Sequence, residues 1–152
     1  MAPGSALIPR LVDLGPRREA LRDRFALSAR PESVAGARRL TRARLTAWRV
    51  GQDTMDAAVL IVSELVTNAV VHTASARVVC ELEYSGAGLR VSVTDQGHQP
   101  EGPRLSPASE DEHGRGLLLV DSLSTAWGAH EAADGCGRVV WARLPAGSEA
   151  AC

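Results

Sequence analysis

"LIVSELVTNAVVHT", residues 60–73, reads as a helix that ought to be buried, yet it carries Glu64, Asn68 and His72, each four residues from the next. Residues at i, i+4 and i+8 stand one above the other on a single helix face. Ile61, Val62, Leu65, Val66, Ala69 and Val70 cover most of the remaining surface. The apolar part of this helix must therefore pack on something, and the polar stripe must not be stranded there. An ionised carboxylate in apolar surroundings is very costly without a partner. That partner is either another side chain or a ligand with a metal ion. The choice decides whether the helix is architecture or a site.

Upstream, residues 1–22 mix Pro, Gly and Arg without periodicity and are expected to form a flexible N-terminal extension. "RFALSA" (Arg24–Ala29) reads as a short strand stopped by Pro31. Val34, Ala37, Leu45 and Trp48 then fall near helical spacing, with Pro31 suited to a first turn and Gly51 as the stop. Asp53 or Thr54 can cap the following helix, which carries the quoted stretch.

Downstream the period changes to two. Val78, Cys80, Leu82 and Tyr84 alternate with Arg77, Val79, Glu81 and Glu83; Leu89, Val91 and Val93 alternate with Arg90, Ser92 and Thr94. The turn "SGAG" joins the two runs, which predicts a β-hairpin with one buried face. Residues 96–113 are rich in Gly, Pro, Ser and acids and read as a long loop, of the kind that is usually functional or disordered. A short helix from about Gly116 to Leu123 and two strands near Thr125–His130 and Arg138–Leu144 complete the pattern. Residues 23–146 thus form one domain, and 147–152 a short tail. The element order predicts a two-layer α/β sandwich, with helices on one face of a mostly antiparallel mixed sheet.

Composition sets further bounds. The chain has 152 residues, 45% hydrophobic and 23% charged, as in an ordinary globular domain. No apolar run approaches the ~20 residues of a membrane span, and no secretory signal is read. Cys80, Cys136 and Cys152 are odd in number and lack metal-ligand spacing, which fits reduced thiols in a cytoplasm. All 17 basic residues are Arg. The absence of Lys excludes P-loop and Schiff-base chemistry. The Arg-rich first third could attract nucleic acid, but it has neither interleaved aromatics nor a helix-turn-helix pattern. Nucleic-acid binding is not expected, and an Arg face that is solvated or meets an acidic protein is the better reading.

Each candidate segment has a plain reading beside a functional one. Glu64 could pair with an Arg of the first helix, "TDQG" at 94–97 could be only a turn, and "HGRG" at 113–116 only a helix entry. A helix entry nevertheless presents free N–H groups and a positive dipole end to an anion.

Taken together, "SELVTNAVVHT", "VTDQG" and "GRGLLLVDSLSTAWG" resemble, in order and spacing, the N box and two glycine boxes of the GHKL ATPases, and the closing "GRVVWARLP" resembles their last strand. Within that superfamily the chain is most similar to the anti-sigma-factor serine/threonine kinases, over roughly residues 24–145. The resemblance implies the GHKL (Bergerat) ATP-binding fold, ATP and Mg²⁺ as cofactors, and a cytoplasmic regulator that acts as a kinase. Its implied partners are a sigma factor and a STAS-domain antagonist, and it implies a homodimer. Asn68 would ligate Mg²⁺ and Glu64 would be the general base. Asp95 would accept the adenine amino proton, with Gly97 allowing backbone to approach the base. Gly114, Arg115 and Gly116 would cradle the phosphates, Leu117 would follow them in the nucleotide site, and residues 98–113 would be a lid. His72 shares the Glu/Asn face and is either a nucleotide contact or a structural histidine. Gln99 stands where many members have a second Gly, and Val139 and Val140 where many have a Thr.

Overall fold

A computed structural model describes residues 20–72, 76–95, 117–133, 135 and 137–146. Strand β1 (Leu21–Ser28) leads through helix α1 (Ser33–Ala47) and helix α2 (Gln52–His72) to the hairpin β2 (Arg77–Ser85) and β3 (Gly88–Asp95). A short helix, α3 at 117–123, precedes β4 (Ala126–Glu131) and β5 (Arg138–Leu144). The strands lie in the order β1-β2-β3-β5-β4, and every neighbouring pair is antiparallel. α1 packs on α2, and α2 lies across β3 with smaller contacts to β2 and β5. Helices on one face of an antiparallel sheet make the expected two-layer sandwich.

The register explains which residues face the helices. Phe25, Cys80, Val93 and Val140 stand in one row across the sheet, and Leu82, Val91 and Ala142 in the next. These side chains meet Ala58, Ile61, Val62, Leu65 and Val66 of α2, Ala37 and Leu45 of α1, and Val120 of α3 in one core. Fully burying a Leu or Val side chain contributes about 1.5–3 kcal/mol, so this layer interface holds the domain together. Burial also acts on the Cys80 thiol, whose pKa desolvation pushes up to about 12.

The elements depart from expectation at three ends. β1 begins at Leu21 rather than Arg24 because its first residues are held by charge, not by apolar alternation. Arg22 meets Glu83 at 3.2 Å and Arg24 meets Glu81 at 3.6 Å, across the strand pair on the face away from the helices. α1 ends at Ala47 without using Gly51. Arg49 takes the left-handed position (φ 63), while the Arg49 and Val50 N–H groups donate to Thr46 and Leu45 carbonyls at 3.0 Å each. That double bond pattern is a Schellman stop, usually built on glycine. α2 starts at Gln52, ahead of the proposed caps, with Asp53 in its first turn and the Met55 N–H donating to the Gly51 carbonyl at 2.9 Å.

Gly88 closes the β2–β3 turn at φ 126, where a Cβ would collide with the Leu144 carbonyl oxygen. Only glycine fits there. By length and composition α2 is itself long and apolar enough to cross a membrane, contrary to the reading from apolar runs. In this fold its apolar stripe faces the sheet instead.

Candidate functional site

The polar stripe of α2 runs along the edge of the core: Ile61 and Leu65 on one flank are buried, whereas Leu60 and Val71 on the other are exposed. Leu65 and Val66 are fully buried, while Glu64 and Asn68, on the neighbouring stripe, are half-buried. The sequence predicts a largely buried helix, with partners required for both. Half-burial leaves each functional group open to solvent on one side, so neither must find a protein partner. Among the described residues neither has one.

Three of the four arginines of α1 are engaged elsewhere. Arg38 donates to Ser63 Oγ at 2.9 Å, Arg42 faces Asp56 at 3.5 Å, and Arg44 donates to Asp23 at 2.9 Å. The structural salt bridge that could have explained Glu64 is absent among the described residues. A carboxylate and an amide oxygen one helical turn apart, open and unengaged, can receive a ligand.

The remaining candidates divide by position. Asp95 is the last residue of β3, half-buried, in the same inward row as Val78 and Arg138. It therefore lies on the face of the sheet that α2 crosses. His72 is the last residue of α2, half-buried. Leu117 is the first described residue of α3 and is also half-buried. Gly97, Gly114, Arg115, Gly116 and the lid at 98–113 lie outside the described residues.

One part of the arrangement gave no periodic signal in the sequence. Trp127 of β4 donates its indole N–H to Asp121 of α3 at 3.0 Å, and the Thr125 backbone N–H donates to the Arg143 carbonyl at 2.8 Å. These bonds tie α3 to the β4–β5 edge of the sheet. Trp127 read only as a strand residue, because its polar partner lies outside the strand.

No described group of three or more His, Cys, Asp or Glu side chains could hold a metal ion by itself. An Asn amide oxygen beside an open carboxylate is a sparse, all-oxygen donor set, which suits a hard cation that keeps waters and shares a ligand's phosphates. The residues present fit such an ion.

A sequence model of the family described as "Histidine kinase-like ATPase domain" matches residues 27–144. The chain belongs to this family. Among solved structures, this histidine kinase-like ATPase domain is similar to the RsbU and RsbW domains of Rv1364c from Mycobacterium tuberculosis, with TM-score 0.65 and 18% identity. That match covers 86% of this chain and only 34% of the other, so the chain spans about a third of that protein. It is also similar to a chain of the SiaB–SiaC complex from Pseudomonas aeruginosa, with TM-score 0.59 and 14% identity, over 93% of this chain and 99% of that one. At these identities the likeness is one of fold. No curated protein matches the chain. Membership in the ATPase family implies ATP binding; the candidate residues Glu64, Asn68 and Asp95 lie on α2 and at the end of β3.

Proposed function

We propose that this protein is an ATP- and Mg²⁺-dependent serine/threonine kinase that acts as a cytoplasmic anti-sigma regulator and phosphorylates a STAS-domain antagonist. The observation that carries the reading is the open pair on α2: Glu64 and Asn68, half-buried and without a protein partner among the described residues. A structural role would have closed them with an arginine, and four arginines, Arg38, Arg39, Arg42 and Arg44, stand on the adjoining helix.

In this reading Asn68 holds Mg²⁺ through its amide oxygen. The ion, when bound, neutralises phosphate charge. Asp95 accepts from the adenine amino group, and Gly97, Gly114, Arg115, Gly116 and Leu117 surround the rest of the nucleotide, with His72 at the rim. Glu64 takes the proton from an incoming Ser or Thr hydroxyl as that oxygen attacks the γ-phosphate. The sigma factor and the antagonist are the protein partners, and two copies form the working unit.

A second reading, a nucleotide-gated binding module without transfer, is favoured by one observation. Val140 packs against the core where many family members have a Thr near the adenine. The two readings separate when the protein is mixed with γ-labelled ATP, Mg²⁺ and STAS-domain proteins from the same genome. Label on a Ser or Thr of one of them supports the kinase. Tight ATP binding with no transfer to any of them supports the module.

A further inference from the structure

The face of the sheet turned away from the helices carries its own unmet chemistry. Arg22, Glu83, Arg90 and Arg143 form one row across four strands, and Arg24, Glu81, Ser92, Trp141 and Gly128 the next. Both acids are already engaged by β1, Glu83 by Arg22 at 3.2 Å and Glu81 by Arg24 at 3.6 Å. Arg90 and Arg143 remain. They are direct cross-strand partners with no acidic partner among the described residues. Like charges placed directly opposite each other destabilise a sheet.

Both guanidiniums instead flank one indole, Arg90 at 5.6 Å and Arg143 at 6.0 Å from the Trp141 ring centroid. The ring is itself seated. A Cβ on Gly128 would lie 2.9 Å from Trp141 Cζ2 and 3.2 Å from its Nε1, so the indole rests on bare β4 backbone. Beside Arg90 runs an open cleft of about 430 Å³, floored by the β1 and β2 charge pairs.

We propose that Arg90, Trp141 and Arg143 form a docking site for an acidic segment of a protein partner, on the sheet face opposite the nucleotide. Two guanidiniums converging on one aromatic plane offer paired N–H donors to carboxylates, the geometry at which Arg excels. Arg and Trp are also the residue types that concentrate binding energy at protein interfaces. A nucleic acid fits less well. Glu81 and Glu83 would repel its phosphates, the face has a single aromatic, and the chain has a net charge of −1. A second copy meeting the same face fits less well still, because that face brings an identical Arg pair and only acids already paired by Arg22 and Arg24.

The test uses the full chain and a dye-labelled ten-residue glutamate peptide as probe. Wild type should bind it in a salt-sensitive manner. R90Q/R143Q should weaken binding about tenfold or more, as expected for losing two charge-assisted hydrogen bonds. R22Q/R24Q should change it less, since those arginines are already paired. Because R90Q/R143Q removes a like-charge pair, its melting temperature should match or exceed that of wild type, which separates loss of docking from loss of fold. The proposal is overturned if wild type ignores the peptide, if the double variant binds it as well as wild type, or if oligo-dT binds this face in its place. It is equally overturned if sedimentation shows a dimer that R90Q/R143Q splits.

Discussion

α1 and α2 pack side by side, yet they treat polar groups in opposite ways. On α1 three of the four arginines reach out to partners: Arg38 to Ser63, Arg42 to Asp56, Arg44 to Asp23. On α2 the polar pair Glu64 and Asn68 sits deeper and has no partner among the described residues. An exposed charge pair contributes little to stability, and its loss is easily tolerated. A half-buried carboxylate left unengaged is different, because nothing in the fold requires it. Where a polar group is partnered it describes packing; where it is open inside the core helix it describes chemistry. α1 has one exception, the fully buried Thr41 hydroxyl, which has no hydrogen-bond partner. It is sealed from any ligand, so it is a cost and not a site.

The sharpest way to break this contrast is Glu64→Gln. If Glu64 is the general base, phosphoryl transfer should fall by ~10²–10⁴ while nucleotide affinity and melting temperature stay near wild type. A lower melting temperature with unchanged turnover would return Glu64 to architecture.

Next in size is the closed side of the same layer interface, read through Cys80. The folded thiol keeps its proton to about 12, whereas the unfolded thiol ionises from its ordinary value of 9.0 upward. The group's contribution is therefore complete below pH 9 and lost as pH rises above it, by roughly 1.4 kcal/mol per unit. With no Lys in the chain, few other groups titrate there. Denaturant unfolding from pH 8 to 11 should show this slope in wild type and not in Cys80→Ala, which starts from a lower value because of its cavity.

Asn68→Ala should lower ATP affinity about ten- to a hundredfold with Mg²⁺ present and far less with chelator. Calorimetry under both conditions checks it; equal losses would mean that Asn68 does not serve the ion.

Thr41→Val removes the sealed, unsatisfied hydroxyl at nearly constant shape and should stabilise the fold by about 1 kcal/mol, read by denaturant midpoint. The smallest effect is expected from Arg49→Gly, which relieves a left-handed arginine. It should gain a few tenths to about 1 kcal/mol with no change in nucleotide binding.

Much of the frame was legible in the sequence because period alone decides it. The 3.6-residue spacing in residues 60–73 and the two-residue alternation in 77–95 each admit one packing, and the sandwich follows. β5 was legible to its end residues. What stayed hidden depends on contacts across the chain. The start of β1 rests on Arg22–Glu83 and Arg24–Glu81, which carry no local signal. The α1 stop fell on Arg49, although propensity pointed to the glycine two residues later. The three polar residues of α2 were legible as a stripe. That Glu64 and Asn68 have no arginine partner among the described residues could be seen only from where Arg38, Arg42 and Arg44 of α1 reach.

The strand order also has a consequence in time. β2–β3 and β4–β5 are hairpins that close locally, but β1 meets β2 and β3 meets β5 only across distant parts of the chain, and non-local pairing of this kind is slow. Gly88, pressed against the Leu144 carbonyl, lies on that seam. One half of the chain brings α2 and Asp95, the other brings α3 pinned to β4. One of these slow pairings, β3 with β5, is thus also the step that unites the two halves of the proposed nucleotide site. A chain still short of that step has half a site, so newly made protein should acquire nucleotide affinity all at once, and late.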